Sequence, residues 1–177
     1  MSSPILILPG IGDSGPAHWQ TLWQQSEPRM QRVQQRDWDK PQCDEWVQML
    51  EEAVTACAEE PILVAHSLGC LLVAHWGQQT RHKVAAAMLV APPDPAGPSF
   101  PVAARSFAPL PQQKLPFPSL VVASSNDPYG NVAFSRNAAR LWGSLYRSIG
   151  PCGHVNANSG LGHWKAGRML LWELTAS

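Results

Sequence analysis

Short apolar runs and longer amphipathic segments alternate along the whole chain. A continuous apolar run between turn residues is typical of a buried strand, and apolar residues at helical spacing are typical of an amphipathic helix. Strands are predicted at residues 5–8, 32–38, 61–65, 84–90, 120–123 and 145–149, and helices at 17–25, 44–58, 68–76, 131–142 and 165–174. This order predicts one α/β domain over residues 1–177, with three α/β/α layers and a mostly parallel sheet of about six strands.

Residues 92–118 interrupt the alternation of predicted strands and helices, and we call this stretch the Pro-rich segment. It holds nine of the chain's 17 prolines, together with Phe100, Phe107, Leu110 and Phe117. A connection this long is uncommon in a small domain and is often functional. Two interpretations stay open: a surface loop packed by its own aromatic residues, or a cap beside a functional site.

Composition excludes several classes of protein. Acidic and basic residues are equal in number, and no basic stripe favours nucleic acid. No apolar stretch is long enough to span a membrane, and the first residues lack signal-peptide features, so a cytoplasmic location is expected. The four cysteines, Cys43, Cys57, Cys70 and Cys152, are too scattered for a zinc site and are expected to be reduced thiols.

The most informative residue is Ser67, in the sequence Ala65-His66-Ser67-Leu68-Gly69 between a predicted strand and a predicted helix. A serine on such a sharp turn is forced outward with its hydroxyl exposed. Because the turn brings two backbones close together, the positions two before and two after the serine must be small. The pattern resembles the G-x-S-x-G nucleophile elbow of α/β-hydrolases, with Ala65 in place of the first glycine.

A nucleophilic serine needs a base to take its proton and an acid to orient that base. Asp127 and His154 each follow a predicted strand, and catalytic groups gather at the carboxyl ends of such strands. We therefore expect Asp127 to be the acid and His154 the general base, although Asp127 also suits an ordinary turn. The competing candidates are Asp94, after the preceding strand, and His163, which more naturally opens the last helix.

Negative charge that develops on a substrate oxygen needs N–H donors. The expected oxyanion donors are the backbone N–H of Leu68, which follows the nucleophile, and that of Ile11 in the loop after the first strand, with Gly12 as the alternative. The same loop contains Gly10, Gly12 and Gly15 in a G-x-G-x-x-G pattern. This pattern leaves a phosphate or dinucleotide site open as another interpretation, with Asp37 at a suitable distance for the ribose.

Four stretches, in the same order along nearly the whole chain, carry a resemblance to a known group of proteins. The chain resembles the small single-domain serine hydrolases of the YdeN-like, retinoblastoma-binding-protein-nine-like family. The matching stretches are Leu8-Pro9-Gly10-Ile11-Gly12-Asp13-Ser14-Gly15-Pro16-Ala17-His18-Trp19, His66-Ser67-Leu68-Gly69, Ala123-Ser124-Ser125-Asn126-Asp127-Pro128-Tyr129 and Gly153-His154-Val155-Asn156-Ala157-Asn158-Ser159-Gly160-Leu161-Gly162.

The resemblance implies a minimal α/β-hydrolase sheet without the fold's first two strands, in the order 2-1-3-4-5-6. It also implies a triad of Ser67, Asp127 and His154, with Asp127 preferred over Asp94. The expected activity is hydrolysis of a small ester, or an amide, without a metal or organic cofactor. The alternatives are a protein-binding module that uses exposed tryptophans and the Pro-rich segment, and a nucleotide-binding protein.

Overall fold

Six parallel strands form one sheet in the order β2-β1-β3-β4-β5-β6 in the computed structural model, which describes residues 3–176. The strands are β1 (Ile5–Leu8), β2 (Met30–Arg32), β3 (Ile62–His66), β4 (Ala86–Val90), β5 (Ser119–Ala123) and β6 (Leu145–Ser148). The helices are α1 (Trp19–Ser26), α2 (Cys43–Thr55), α3 (Leu68–Gly77), α4 (Val132–Trp142) and α5 (Lys165–Thr175). This arrangement confirms the expected minimal α/β-hydrolase fold and its strand order.

Helices cover both faces of the sheet, which explains why β1 and β4 are apolar at every position. In β1, Leu6 and Leu8 pack with α2, α3 and α4 on one face. Ile5 and Ile7 point the other way and pack with α1 and α5. Successive strand residues point to opposite faces, so a strand covered on both sides reads as a continuous apolar run rather than as an alternation.

Most predicted elements are confirmed to within three residues, but the second strand is wrong. The sequence predicts a strand at 32–38, whereas β2 is Met30–Arg32. Val33 still donates to the main-chain oxygen of Ile7, and the chain then leaves the sheet. It crosses the end of β1, where the main-chain oxygen of Trp38 accepts a hydrogen bond of 2.8 Å from Gly12. Residues 33–38 therefore serve the loop after β1 rather than the sheet.

The Pro-rich segment is firmly attached to the helices that cover one face of the sheet. It contains a short 3₁₀ helix, Val102–Phe107, whose Ala104 and Phe107 side chains are fully buried in the core. His75 of α3 donates through Nε2 to the main-chain oxygen of Phe107 at 2.8 Å, and Trp142 of α4 donates to that of Pro111. The segment is thus both packed by its own aromatic residues and, as described below, part of the wall of a cavity.

The tryptophans do not form the exposed surface that the protein-binding alternative requires. Six of the eight are buried, and Trp38 is packed against the core. Only Trp172 is largely exposed, at 63%. That expectation is wrong because the large rings fill the spaces between helices and sheet.

Candidate active site

Ser67 lies at the turn between β3 and α3 with a strained backbone. Its φ is 54° and its ψ is −123°, a conformation that L-residues rarely adopt. A Cβ on Gly69 would lie 2.3 Å from the main-chain oxygen of Leu8, and a Cβ on Gly10 would lie 2.9 Å from the Cβ of Ser67. The close approach of β1 to this turn therefore requires glycine at both positions. The elbow pattern predicts the need at Gly69, and the structure adds the one at Gly10. Ala65 is accommodated in β3, where it is fully buried.

The structure brings Ser67, His154 and Asp127 together at the carboxyl edge of the sheet. The Nε2 atom of His154 is 2.7 Å from the Oγ of Ser67, and its Nδ1 is 2.9 Å from both carboxylate oxygens of Asp127. The Asp127 side chain is almost fully buried, and that of His154 is 11% exposed. A carboxylate can only accept, so Nδ1 of His154 carries a proton, and the tautomer with this proton alone has a free lone pair on Nε2 facing the serine. This arrangement can take a proton from Ser67.

The loop that carries His154 is tied to the loop that carries Asp127. The Oδ1 atom of Asn126 accepts a hydrogen bond of 2.7 Å from the backbone N–H of Gly153, and the Oγ of Ser124 accepts one from that of Cys152. No local sequence signal distinguishes Asn126 and Ser124 from ordinary loop residues. The two hydrogen bonds hold the loop of His154 beside the loop of Asp127.

Two further donors hold the backbone at His154. His66 donates through Nε2 to the main-chain oxygen of His154 at 2.8 Å, and Trp19 of α1 donates to that of Val155 at 2.8 Å. Burial, together with nearby His154 and His18, holds the pKa of His66 well below its ordinary value. His66 is therefore a neutral support of the site, as well as a packed histidine.

Two backbone N–H groups beside Ser67 are free to meet an oxyanion. Leu68 is the first residue of α3, so its N–H has no partner within the helix. Gly12 donates to Trp38 and Asp13 to Gly10, whereas no acceptor within residues 3–176 engages the N–H of Ile11. Of the two candidates in this loop, Ile11 is the one whose donor is unengaged.

The alternative candidates for the acid, the base and a nucleotide site lie outside the cluster around Ser67 or are engaged in other contacts. Asp94 caps its own turn by accepting from the backbone N–H of Ala96. His163 is exposed just before α5, and its main-chain oxygen accepts from Trp23. Gly10, the first glycine of the G-x-G-x-x-G pattern, is accounted for by its contact with Ser67. Asp37 lies at the surface and caps the turn at Lys40, which leaves the nucleotide alternative without a specific support.

A cavity of about 230 Å³ opens over Ser67 and His154. One part of its wall is apolar and comes mainly from the Pro-rich segment, through Pro93, Phe100, Pro101 and Ala104. The other part is polar and includes Asp13, His18, Tyr129 and Asn156. The ring of Tyr129 packs on that of His154, with 4.5 Å between their centroids.

Metal binding and membrane insertion are two other functions on which the described residues bear. Between residues 3 and 176, no cluster of histidine, cysteine, aspartate and glutamate side chains is arranged to hold a metal ion. Nor does that part of the chain contain a helix that is both long and apolar enough to cross a bilayer.

Comparison with known proteins identifies the family. The sequence profile of the family described as Serine hydrolase matches residues 5–173. A crystal structure from Pectobacterium atrosepticum, of a protein assigned as a YdeN-like hydrolase, is 33% identical with a TM-score of 0.89, over 99% of this chain and 91% of that one. The ydeN gene product from B. subtilis is 18% identical with a TM-score of 0.79, over 99% and 100% of the two chains.

More distant structures share the fold alone. The monoacylglycerol lipase of Paleococcus ferrophilus is 11% identical with a TM-score of 0.73, over 99% of this chain and 96% of that one. No curated protein matches the sequence significantly. With the family profile spanning nearly its whole length and a YdeN-like structure at 33% identity, the chain belongs to the serine hydrolase family.

Proposed function

We propose that this protein is a carboxylesterase-like serine hydrolase that cleaves a small ester through Ser67, His154 and Asp127. The observation that carries the proposal is the pair of contacts of His154, 2.7 Å to the Ser67 hydroxyl and 2.9 Å to the Asp127 carboxylate. A cavity of about 230 Å³ above these residues supports a substrate with a short acyl group. A small amide is the alternative substrate for the same residues.

The proposed reaction proceeds through an acyl-enzyme. The Oγ of Ser67 attacks the ester carbonyl while Nε2 of His154 takes its proton, and the new oxyanion accepts hydrogen bonds from the N–H groups of Ile11 and Leu68. When the intermediate collapses, the C–O bond to the alcohol breaks and His154 gives its proton to the leaving oxygen. Water then attacks the acyl group in the same way, which releases the acid and restores Ser67. Asp127 holds His154 in its Nδ1–H tautomer and stabilises the imidazolium.

A covalent probe tests the nucleophile directly. We expect a fluorophosphonate to label the wild-type protein on Ser67 and to leave Ser67→Ala unlabelled. Ser148→Ala, a change at the end of the edge strand β6, is the matched control and should label as the wild type does. Asp127→Asn should lower kcat by about 10³- to 10⁴-fold, because the wrong tautomer of His154 then faces the serine.

Absence of labelling in the folded wild-type protein would instead favour the alternative, a binding module with a hydrolase fold. A panel of nitrophenyl esters of rising acyl length, with aminoacyl amides beside them, then separates ester from amide preference. We expect the short-chain esters to be cleaved with the highest kcat/KM.

A further inference from the structure

His18 is a buried histidine beside the proposed triad for which the reaction above has no use. It is the N-cap of α1, where its Nδ1 atom accepts a hydrogen bond of 3.1 Å from the backbone N–H of Gln20. A neutral imidazole that accepts at one nitrogen carries its proton on the other. The cap therefore fixes the tautomer of His18, and its Nε2 is an N–H donor.

This donor has no partner. His18 is only 5% exposed, and its Nε2 is a buried polar atom that meets no hydrogen-bond acceptor within residues 3–176. The ring belongs to the wall of the cavity that also contains Ser67 and His154. Buried donors in native proteins nearly always find an acceptor, so an orphan beside a nucleophile points to a partner that arrives with the substrate.

We propose that His18 is a substrate-binding residue, whose Nε2–H donates to an uncharged acceptor oxygen close to the scissile ester. The inference rests on the proposed function and extends it from a reaction type to a substrate class. The preferred substrate carries an ether, carbonyl or hydroxyl oxygen near the ester group, in addition to the ester oxygens themselves. A plain alkyl ester lacks this acceptor.

The charge of His18 determines which acceptors suit it. Burial, followed by the positive charge of Arg32 and by His154, lowers the pKa of His18 to about 4. At neutral pH the ring is therefore an uncharged donor. A carboxylate or phosphate would lose much of its hydration free energy in the cavity, and an uncharged donor provides no charge attraction to offset that loss. A neutral oxygen loses much less hydration free energy on entering the cavity.

The surroundings of the cavity agree with a substrate of mixed character. The wall from the Pro-rich segment, with Pro93, Phe100 and Pro101, provides no side-chain donor. His18 lies in the polar part of the wall, and its ring packs at 64° to that of His66 with 4.7 Å between centroids. A substrate with one acceptor oxygen and otherwise apolar atoms matches both parts.

Two substitutions distinguish the proposed role of Nε2 as a donor to substrate from the role of Nδ1 in capping α1. His18→Asn places an amide oxygen where Nδ1 stands, so it keeps the cap and removes the donor. His18→Gln places an amide N–H near the position of Nε2, so it keeps a donor and removes the cap. A purely structural role predicts a lower Tm for His18→Gln and no change in substrate preference for either variant.

Two isosteric pairs of esters provide the measurement. Ethyl methoxyacetate and ethyl butyrate differ by an ether oxygen in the acyl chain, and 2-methoxyethyl acetate and butyl acetate differ by one in the alcohol. The measured quantity is the ratio of kcat/KM for the ether ester to kcat/KM for its hydrocarbon counterpart. We expect His18→Asn to lower this ratio by about three- to tenfold in one of the two pairs, because it removes one neutral hydrogen bond. His18→Gln should keep the wild-type ratio, after correction for alkaline hydrolysis rates. Equal effects on both members of both pairs overturn the proposal.

A binding measurement separates failure of this inference from failure of the proposed function. In Ser67→Ala protein with ¹⁵N-labelled histidine, the Nε2–H resonance of His18 should move downfield as one of the ether esters is added, and not with its hydrocarbon partner. A resonance that responds to neither ether ester overturns the role of His18, whatever the activity. Wild-type protein that cleaves none of the four esters, with the resonance shift present, contradicts the esterase reaction but leaves the binding role intact.

Discussion

His66 donates a hydrogen bond of 2.8 Å to the main-chain oxygen of His154, and so links the residue before the proposed nucleophile to the backbone of the proposed base. The bond joins the end of β3 to the loop after β6. Without it, the backbone of His154 would keep the hydrogen bond from Trp19 at the next residue, but would lose the one nearest its own side chain.

We therefore expect His66→Phe to lower kcat by about ten- to a hundredfold with a smaller change in KM, because small displacements of a catalytic group are costly. His66→Gln, which keeps a donor near the position of Nε2, should recover most of the loss. Steady-state kinetics on a short nitrophenyl ester, with circular dichroism to show that both variants fold, provides the test. A wild-type kcat in folded His66→Phe would show that the other contacts hold His154 by themselves.

Gly69→Ala should prevent the elbow from forming normally. The added Cβ would meet the main-chain oxygen of Leu8 at 2.3 Å, and two backbones must separate to admit it. We expect the free energy of unfolding to fall by about 1–3 kcal/mol, as in other overpacked sites, together with loss of fluorophosphonate labelling. Gly15→Ala is the control, because a Cβ there meets nothing within 4 Å. Urea unfolding measures the stability of both variants. Equal midpoints for Gly69→Ala and Gly15→Ala would contradict the prediction.

Stability should fall as the pH drops from about 6.5 toward 4. The pKa of His18 is lowered to about 4 in the folded protein, mainly by burial, and that of His66 is also lowered. In the unfolded chain these histidines titrate near pH 6.5, so between the two pH values the unfolded state binds more protons and stability rises with pH.

The contribution of His18 to this loss should reach about 2 kcal/mol at pH 5. His18→Asn, which keeps the cap of α1 but cannot titrate, should therefore show a shallower dependence of unfolding free energy on pH. Denaturant unfolding at several pH values between 4 and 7 measures both slopes. Parallel curves for the two proteins would mean that His18 is not held in its neutral form.

Phe100→Ala should widen the range of acyl groups that the protein accepts. Phe100 lies in the apolar wall of the cavity and is only partly buried, so its removal enlarges the cavity more than it weakens the core. We expect kcat/KM to rise for longer nitrophenyl esters relative to the acetate. Val102→Ala, in the same segment but 68% exposed, is the control and should leave the ratio unchanged. If kcat/KM depended on acyl length in the same way in the wild type, Phe100→Ala and Val102→Ala, the acyl group would not contact Phe100.

The central strands and the three residues of the proposed triad could be predicted because their signals are local. The apolar run before Ser67 and the turn residues around Asp127 and His154 each mark the end of a strand, and a parallel sheet brings such ends to one edge. The extent of β2 could not be predicted. Its end depends on the hydrogen bond from Gly12 to Trp38, which joins residues far apart in sequence.

The roles of His18 and His66 were also beyond sequence reasoning. Nothing local in Ala17-His18-Trp19 distinguishes a capping histidine from a surface one, and its burial depends on packing against His66. His66 is next to Ser67 in sequence, yet its hydrogen-bond partner is the backbone of His154. That residue lies on the loop after β6, three strands away from β3 in the sheet order. Both contacts exist only once the sheet edge has assembled.

The Pro-rich segment joins β4 to β5, and its anchors on His75 and Trp142 involve its own main-chain oxygens rather than its side chains. Main-chain anchors tolerate a change of sequence, whereas the buried side chains of Ala104 and Phe107 do not. The wall residues Pro93, Phe100 and Pro101 can therefore be exchanged while the core and the proposed triad stay in place. New substrate ranges can evolve, or be engineered, by changes at these three wall positions without rebuilding the proposed triad.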